Sequence, residues 1–100
     1  MLQWLLTPSD FEGDPRGFLA NQIGHLMLGA ALAWLIGGWL AIAACLAWEA
    51  VHLWRGGSWW DGTEDFAFVA AGVASVAVWP WAWAVAAPFL AAGILRRAAV

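Results

Sequence analysis

The sequence predicts an all-α fold: a polytopic membrane protein, a four-helix transmembrane bundle of two antiparallel hairpins with a short interfacial N-terminal segment. Three observations predict it. Apolar residues make up 64 % of the 100 and charged residues 11 %, with a mean hydropathy of +0.74. A soluble domain of this size carries roughly a quarter charged residues, and its own core is too small to hide so much apolar surface. The apolar stretches have helix length and are punctuated at Gly37-Gly38, at the loop around Gly56-Gly57-Ser58 and at Pro80. Finally, four spans with the N-terminus inside place Arg16, Arg55, Arg96 and Arg97, all the Lys and Arg of the chain, on one side. That meets the positive-inside rule, whereas three spans would put Arg96 and Arg97 opposite Arg16.

The elements follow in order. Residues 1–17 form an interfacial segment and an acidic loop: Met1 to Leu6 is too short to span and carries Trp4 for the headgroup level, and Pro8, Asp10, Glu12, Gly13, Asp14 and Pro15 give turn chemistry. The spacing of those acids does not complete a calcium loop. Residues 18–97 form the bundle, with helices expected at 18–36, 39–55, 63–79 and 81–95. The first is broken in polarity only by Asn21, Gln22 and His25. Paired glycines at 37 and 38 turn the chain into the second. Asp61 and Glu64 have capping-box spacing and predict Asp61 as N-cap of the third, which Pro80 ends. A single long helix kinked at Pro80 competes with a turn there, and the arginine positions favour the turn. Pro88 threatens the fourth helix.

Trp34, Trp39, Trp79, Trp81 and Trp83 gather at the outer turns and Trp54, Trp59 and Trp60 at the inner loop, an aromatic-belt distribution. Small residues at helical spacing predict the packing faces: Gly29 and Ala33, then Ala43 and Ala47, then Ala67, Ala71 and Ser75. A net charge of −3 argues against nucleic acid, and the lone Cys45 excludes an internal disulfide. No nucleophile has its partners: Ser9, Ser58 and Ser75 lack His and Asp at a matching depth, and Gly56-Gly57 lacks the Lys and Ser/Thr of a phosphate loop. The catalytic set is therefore empty, and the chain reads as more a binding or structural protein than an enzyme.

The ionisable residues inside the apolar helices carry the functional signal, because such groups need partners or a task. Across the first hairpin His25 lies level with Glu49 or Ala50, and across the second His52 lies level with Glu64 or Asp65. Glu49 and His52 share a helix face. A polar cluster of Asn21, His25, Glu49, His52 and Asp65 is thus expected near the cytoplasmic surface. Three readings stand: pairs that lock the bundle, a site for a lipid headgroup or similar amphiphile, and a metal site, Glu-x-x-His being a di-metal ligand motif of which only one copy is present. Spacing does not select haem or a pigment, and the cofactor stays undetermined. Membrane lipid is the expected partner, with self-association or docking onto a larger membrane complex as the alternative role, that of a structural, holin-like or accessory subunit.

The series Asn21-Gln22-Ile23-Gly24-His25, then Glu49-x-x-His52, then Asp65 with Gly72, resembles the VanZ-like membrane proteins over roughly 21–72. Members commonly carry Asp-Lys-x-x-His at the first position, Glu-x-x-Gln at the second and Asp-x-x-x-Asn-x-x-Gly at the third. Here Asn21 and Gln22 replace the Asp-Lys pair, His52 replaces Gln and Val69 stands where Asn is expected. The resemblance implies a small multi-pass protein of the bacterial cytoplasmic membrane, of a family associated with resistance to teicoplanin-type glycopeptide antibiotics. With the charge rule it implies both termini in the cytoplasm.

Overall fold

The structure, a computed structural model, describes residues 11–99. The expected interfacial foot around Trp4 and the start of the acidic loop lie outside the described residues. Within them the chain is an all-helical bundle: α1 is Pro15–Ile36, α2 is Gly38–Trp54, α3 is Trp59–Ala77, a 3₁₀ helix covers Ala82–Ala86, and α4 is Ala87–Ala98. Among the described residues there is no strand.

Helix α1 starts three residues before the expected 18. The Asp14 carboxylate accepts from the Gly17 amide at 2.9 Å, and Pro15 sets φ for the first turn. Its end is the expected one. Gly37 takes φ +88, a conformation that L side chains rarely adopt, and α2 begins at the very next residue. Helix α3 starts four residues earlier than expected. Its N-cap is Ser58, whose Oγ accepts from the Asp61 amide at 3.0 Å, so Asp61 lies in the first turn and is not the cap. Ser58-x-x-Asp61 offers the same spacing as Asp61-x-x-Glu64, and the earlier cap admits Trp59 and Trp60 to the helix, with Trp60 beneath the Arg96 guanidinium at 5.8 Å.

The expected helix at 81–95 is replaced by two pieces. After a turn at Val78–Trp81 the chain makes one 3₁₀ segment, and the α-helix proper has 12 residues. Pro88 does not break this helix. It sits in the first turn, where its missing N–H costs nothing.

Among the described residues one helix, α1, is long and apolar enough to cross a membrane; α2 is apolar but shorter, at 17 residues. The principal contact is between α1 and α3, which run parallel, and α2 packs against both. An added Cβ at Gly29 would strike the Val69 carbonyl, and one at Gly72 would strike the Leu26 carbonyl. The two backbones therefore touch, as small residues permit. Gly29 and Ala33 are buried in this seam, but Gly72, with Phe68, Val69 and Val73, supplies the facing surface. Ala67 is exposed, and so are Ala43 and Ala47; α2 turns Ala41 and Cys45 inward instead. Helix α4 packs chiefly on α1, burying Gly93 against Phe18.

Large apolar side chains cover the outside, among them Met27, Leu28, Leu35, Leu40, Leu46, Phe89 and Leu95. Exposed tryptophans collect at both ends: Trp34, Trp39, Trp79, Trp81 and Trp83 around the Gly37 and Pro80 turns, and Trp54, Trp59 and Trp60 around the α2–α3 loop.

Candidate functional site: a polar layer at one end of the bundle

The up-down-up-down course brings four helix ends together: the start of α1, the end of α2, the start of α3 and the end of α4. Every buried polar or charged residue among those described, Gln22, Asp65 and Arg97, lies there.

Asp65 is the centre. Its Oδ1 accepts from Gln22 Nε2 at 2.8 Å and, more weakly, from Asn21 Nδ2 at 3.4 Å. Its Oδ2 faces His25 Nε2 at 3.8 Å, beyond hydrogen-bond length. The other ring nitrogen of His25, Nδ1, lies 2.7 Å from the Asn21 carbonyl oxygen one turn back. A carbonyl oxygen only accepts, so Nδ1 carries the hydrogen, and in the neutral ring Nε2 keeps its lone pair toward Asp65.

Helix α2 adds Glu49 and His52. His52 Nδ1 is 3.9 Å from Glu49 Oε2, and its ring tilts against Trp48 at 4.9 Å. Glu49 Oε2 is buried with no hydrogen-bond partner among the described residues. The carboxylate reaches α3 at Gly62, where a Cβ would lie 3.4 Å from Oε2. One ligand atom each from His25, Glu49 and Asp65 falls within 4.8 Å of the others, across three helices. All five residues singled out from sequence, Asn21, His25, Glu49, His52 and Asp65, therefore occupy this end, with His52 3.9 Å from Glu49.

Asp61 and Glu64, read from sequence as a cap pair, have other partners in space. Asp61 lines a cavity of about 350 Å³ between α2 and α3, whose walls also include the polar Glu49, His52 and Asp65 and the apolar Leu46, Leu53 and Phe66. Glu64 accepts from Arg97 Nη2 at 3.0 Å and from Arg96 Nη2 at 3.5 Å. The Arg97 guanidinium, 3 % exposed at the side chain, stacks over Phe18 at 3.7 Å and donates to the Gly93 carbonyl at 3.3 Å. Sequence reasoning missed Gln22 and Arg97 as members of the layer. Gln22 was detectable as the residue one turn from Phe18 and two from Gly29 on the same helix face. Arg97, counted as a topology marker, sits one turn after Gly93, the small residue through which α4 approaches α1.

Chemically the layer offers three carboxylates and the His52 imidazole at the wall of a cavity, and a separate arginine–glutamate clamp that holds α4. Comparison of the chain with protein-family models, with curated proteins and with solved structures finds no match.

Proposed function

We propose that the chain is a multi-pass protein of the bacterial cytoplasmic membrane, with both termini cytoplasmic, that holds the polar head of a membrane amphiphile at its inner-leaflet end. The VanZ-like pattern from Asn21 to Gly72 is in keeping with this reading. So are the apolar flanks, the tryptophan girdles and a longest dimension of 37 Å, which compares with about 40–45 Å for a bilayer with its headgroups. Helices α2 and α3 and the 3₁₀–α4 unit complete the crossings that α1 begins, the short last segment being matched by local thinning and by its flanking Trp and Arg residues.

The observation that carries the proposal is the cavity between α2 and α3. Its walls carry carboxylates and an imidazole, which suit a head group bearing hydroxyls or amines, together with Leu46, Leu53 and Phe66, which suit the first part of an acyl chain. Native mass spectrometry of protein extracted in mild detergent tests it. A bound amphiphile is expected on the wild type and should be lost from Ala50→Trp, in which an indole on an exposed cavity-lining position covers the opening. Wild-type protein that emerges free of any amphiphile overturns the reading.

A second role is favoured by one finding. Ala43 and Ala47, small residues one turn apart on α2, face outward and leave a smooth stripe for another helix. A defined oligomer or larger complex, unaffected by Ala50→Trp and dissociated by Ala43→Leu, would point to an accessory subunit.

A further inference from the structure

We propose that His25, Glu49 and Asp65 form a site for a divalent first-row transition metal ion of the zinc class. Three independent features of the geometry lead there. The ligand set is one imidazole and two carboxylates contributed by α1, α2 and α3, with one donor atom of each inside a 4.8 Å circle. An ion with bonds of about 2.0–2.2 Å to N and O ligands brings such atoms together by small side-chain rotations.

Two of the three ligands are oriented from behind. His25 gives its Nδ1 hydrogen to the Asn21 carbonyl, which directs the lone pair of Nε2 inward. Asp65 has Oδ1 occupied by Gln22 and Asn21, which directs Oδ2 inward. Metal-binding histidines and carboxylates are held by outer partners of this kind. The two inward atoms then face each other at 3.8 Å, two lone pairs that repel unless a proton or a metal cation lies between them.

The third feature is Glu49. Its Oε2 is buried and without a hydrogen-bond partner among the described residues, a cost that a metal ligand does not bear. Imidazole with carboxylate selects zinc, iron or manganese over magnesium and calcium, which prefer oxygen alone. Three protein ligands leave a coordination position open, and Glu49 and Asp65 both border the cavity, so that position faces it. The site extends beyond the head-group proposal and stands without it. Ala50→Trp closes the cavity while leaving all three ligands in place, so the two proposals fail separately. The competing arrangement is an imidazolium held beside Asp65 by charge alone, which takes up no metal.

The test uses the full chain in detergent, stripped with a chelator and then titrated with Zn²⁺ and Co²⁺. One Zn²⁺ per chain is expected after desalting, with at least tenfold weaker binding in His25→Ala, Glu49→Gln and Asp65→Asn, and unchanged binding in Glu64→Gln. Co²⁺ should give d–d absorption in the wild type, which needs no variant to fold. His25→Cys should retain Co²⁺ and add a thiolate-to-cobalt charge-transfer band, a signature that a purely structural His25 cannot produce. Absence of stoichiometric Zn²⁺ and of Co²⁺ bands in the folded wild type overturns the proposal, as does binding indifferent to His25→Ala.

Discussion

The side-chain amide of Gln22 on α1 donates to the carboxylate of Asp65 on α3 at 2.8 Å, across the most intimate helix–helix contact in the molecule. Gln22 is 1 % exposed and Asp65 6 %, so neither can turn to water for a replacement partner. The bond joins the packing seam to the polar layer: the same parallel pair that brings Gly29 and Gly72 onto opposing backbones also sets where Asp65 stands relative to His25.

Gln22→Leu removes this donor and leaves Asp65 Oδ1 with the longer contact from Asn21. A loss of about 1–2 kcal/mol is expected, within the range for an unsatisfied buried acceptor. In metal-free protein the double variant Gln22→Leu/Asp65→Asn should lose less than the sum of the single changes, because the two groups act as one unit. Reversible unfolding in detergent followed by circular dichroism measures both; strict additivity would deny the coupling.

The glycine seam makes a contrasting pair. Gly72→Ala puts a Cβ onto the Leu26 carbonyl, a backbone atom that cannot swing aside, and α1 and α3 must separate. The cost should be about 1–3 kcal/mol, as for overpacking generally. Gly24→Ala, with nothing within 4 Å, should be neutral or stabilising by up to about 1 kcal/mol from helix propensity. Thermal midpoints of the two variants should move in opposite directions or differ clearly in size.

Adjacent arginines should behave unlike each other. Arg97 is enclosed by Phe18, Glu64 and Gly93, whereas the Arg96 side chain is 51 % exposed. Arg97→Ala leaves Glu64 without its closest partner and frees α4 from α1, with an expected loss of about 3–5 kcal/mol, as when one member of a buried pair is removed. Arg96→Ala should stay within about 0.5 kcal/mol. Limited proteolysis near the C-terminus gives a local readout, with faster cleavage expected for Arg97→Ala alone.

Sidedness of the helix ends is directly measurable. In a Cys45→Ala background, single cysteines at Glu12 and Ala99 should react with a membrane-impermeant reagent from the cytoplasmic side only. Cysteines at Trp39 and Trp81, both exposed at the opposite end of the bundle, should react from the outside only. Labelling of Glu12→Cys and Ala99→Cys from opposite sides would end the four-crossing proposal.

Much of the local structure was legible because it depends on neighbours in the chain. Gly37-Gly38 inside a long apolar run marks a turn whichever helices surround it, and the observed φ of +88 at Gly37 is what a residue without a Cβ accepts. The levels of His25, Glu49 and Asp65 follow from counting residues back from the turns, and the three do share one end of the bundle. The start of α3 was less legible, since Ser58 and Asp61 are equivalent caps by spacing. In the folded chain Ser58 is the cap, and Trp60, now inside the helix, lies beneath Arg96 of another helix.

The sequence by itself determined helix content, the turn between α1 and α2, and the level of Asn21, His25, Glu49, His52 and Asp65 along the bundle. Only the tertiary structure decided which faces meet: α1 on α3, Gly72 in the seam while Ala67 stays outside, α4 laid on α1 with Arg97 inside, and Gln22 as the donor to Asp65. The physical reason is that the outer surface of this protein is as apolar as its interior. Hydrophobic periodicity then marks no inward side, and the inward side falls to whichever small residues let two backbones touch and whichever polar groups find each other there.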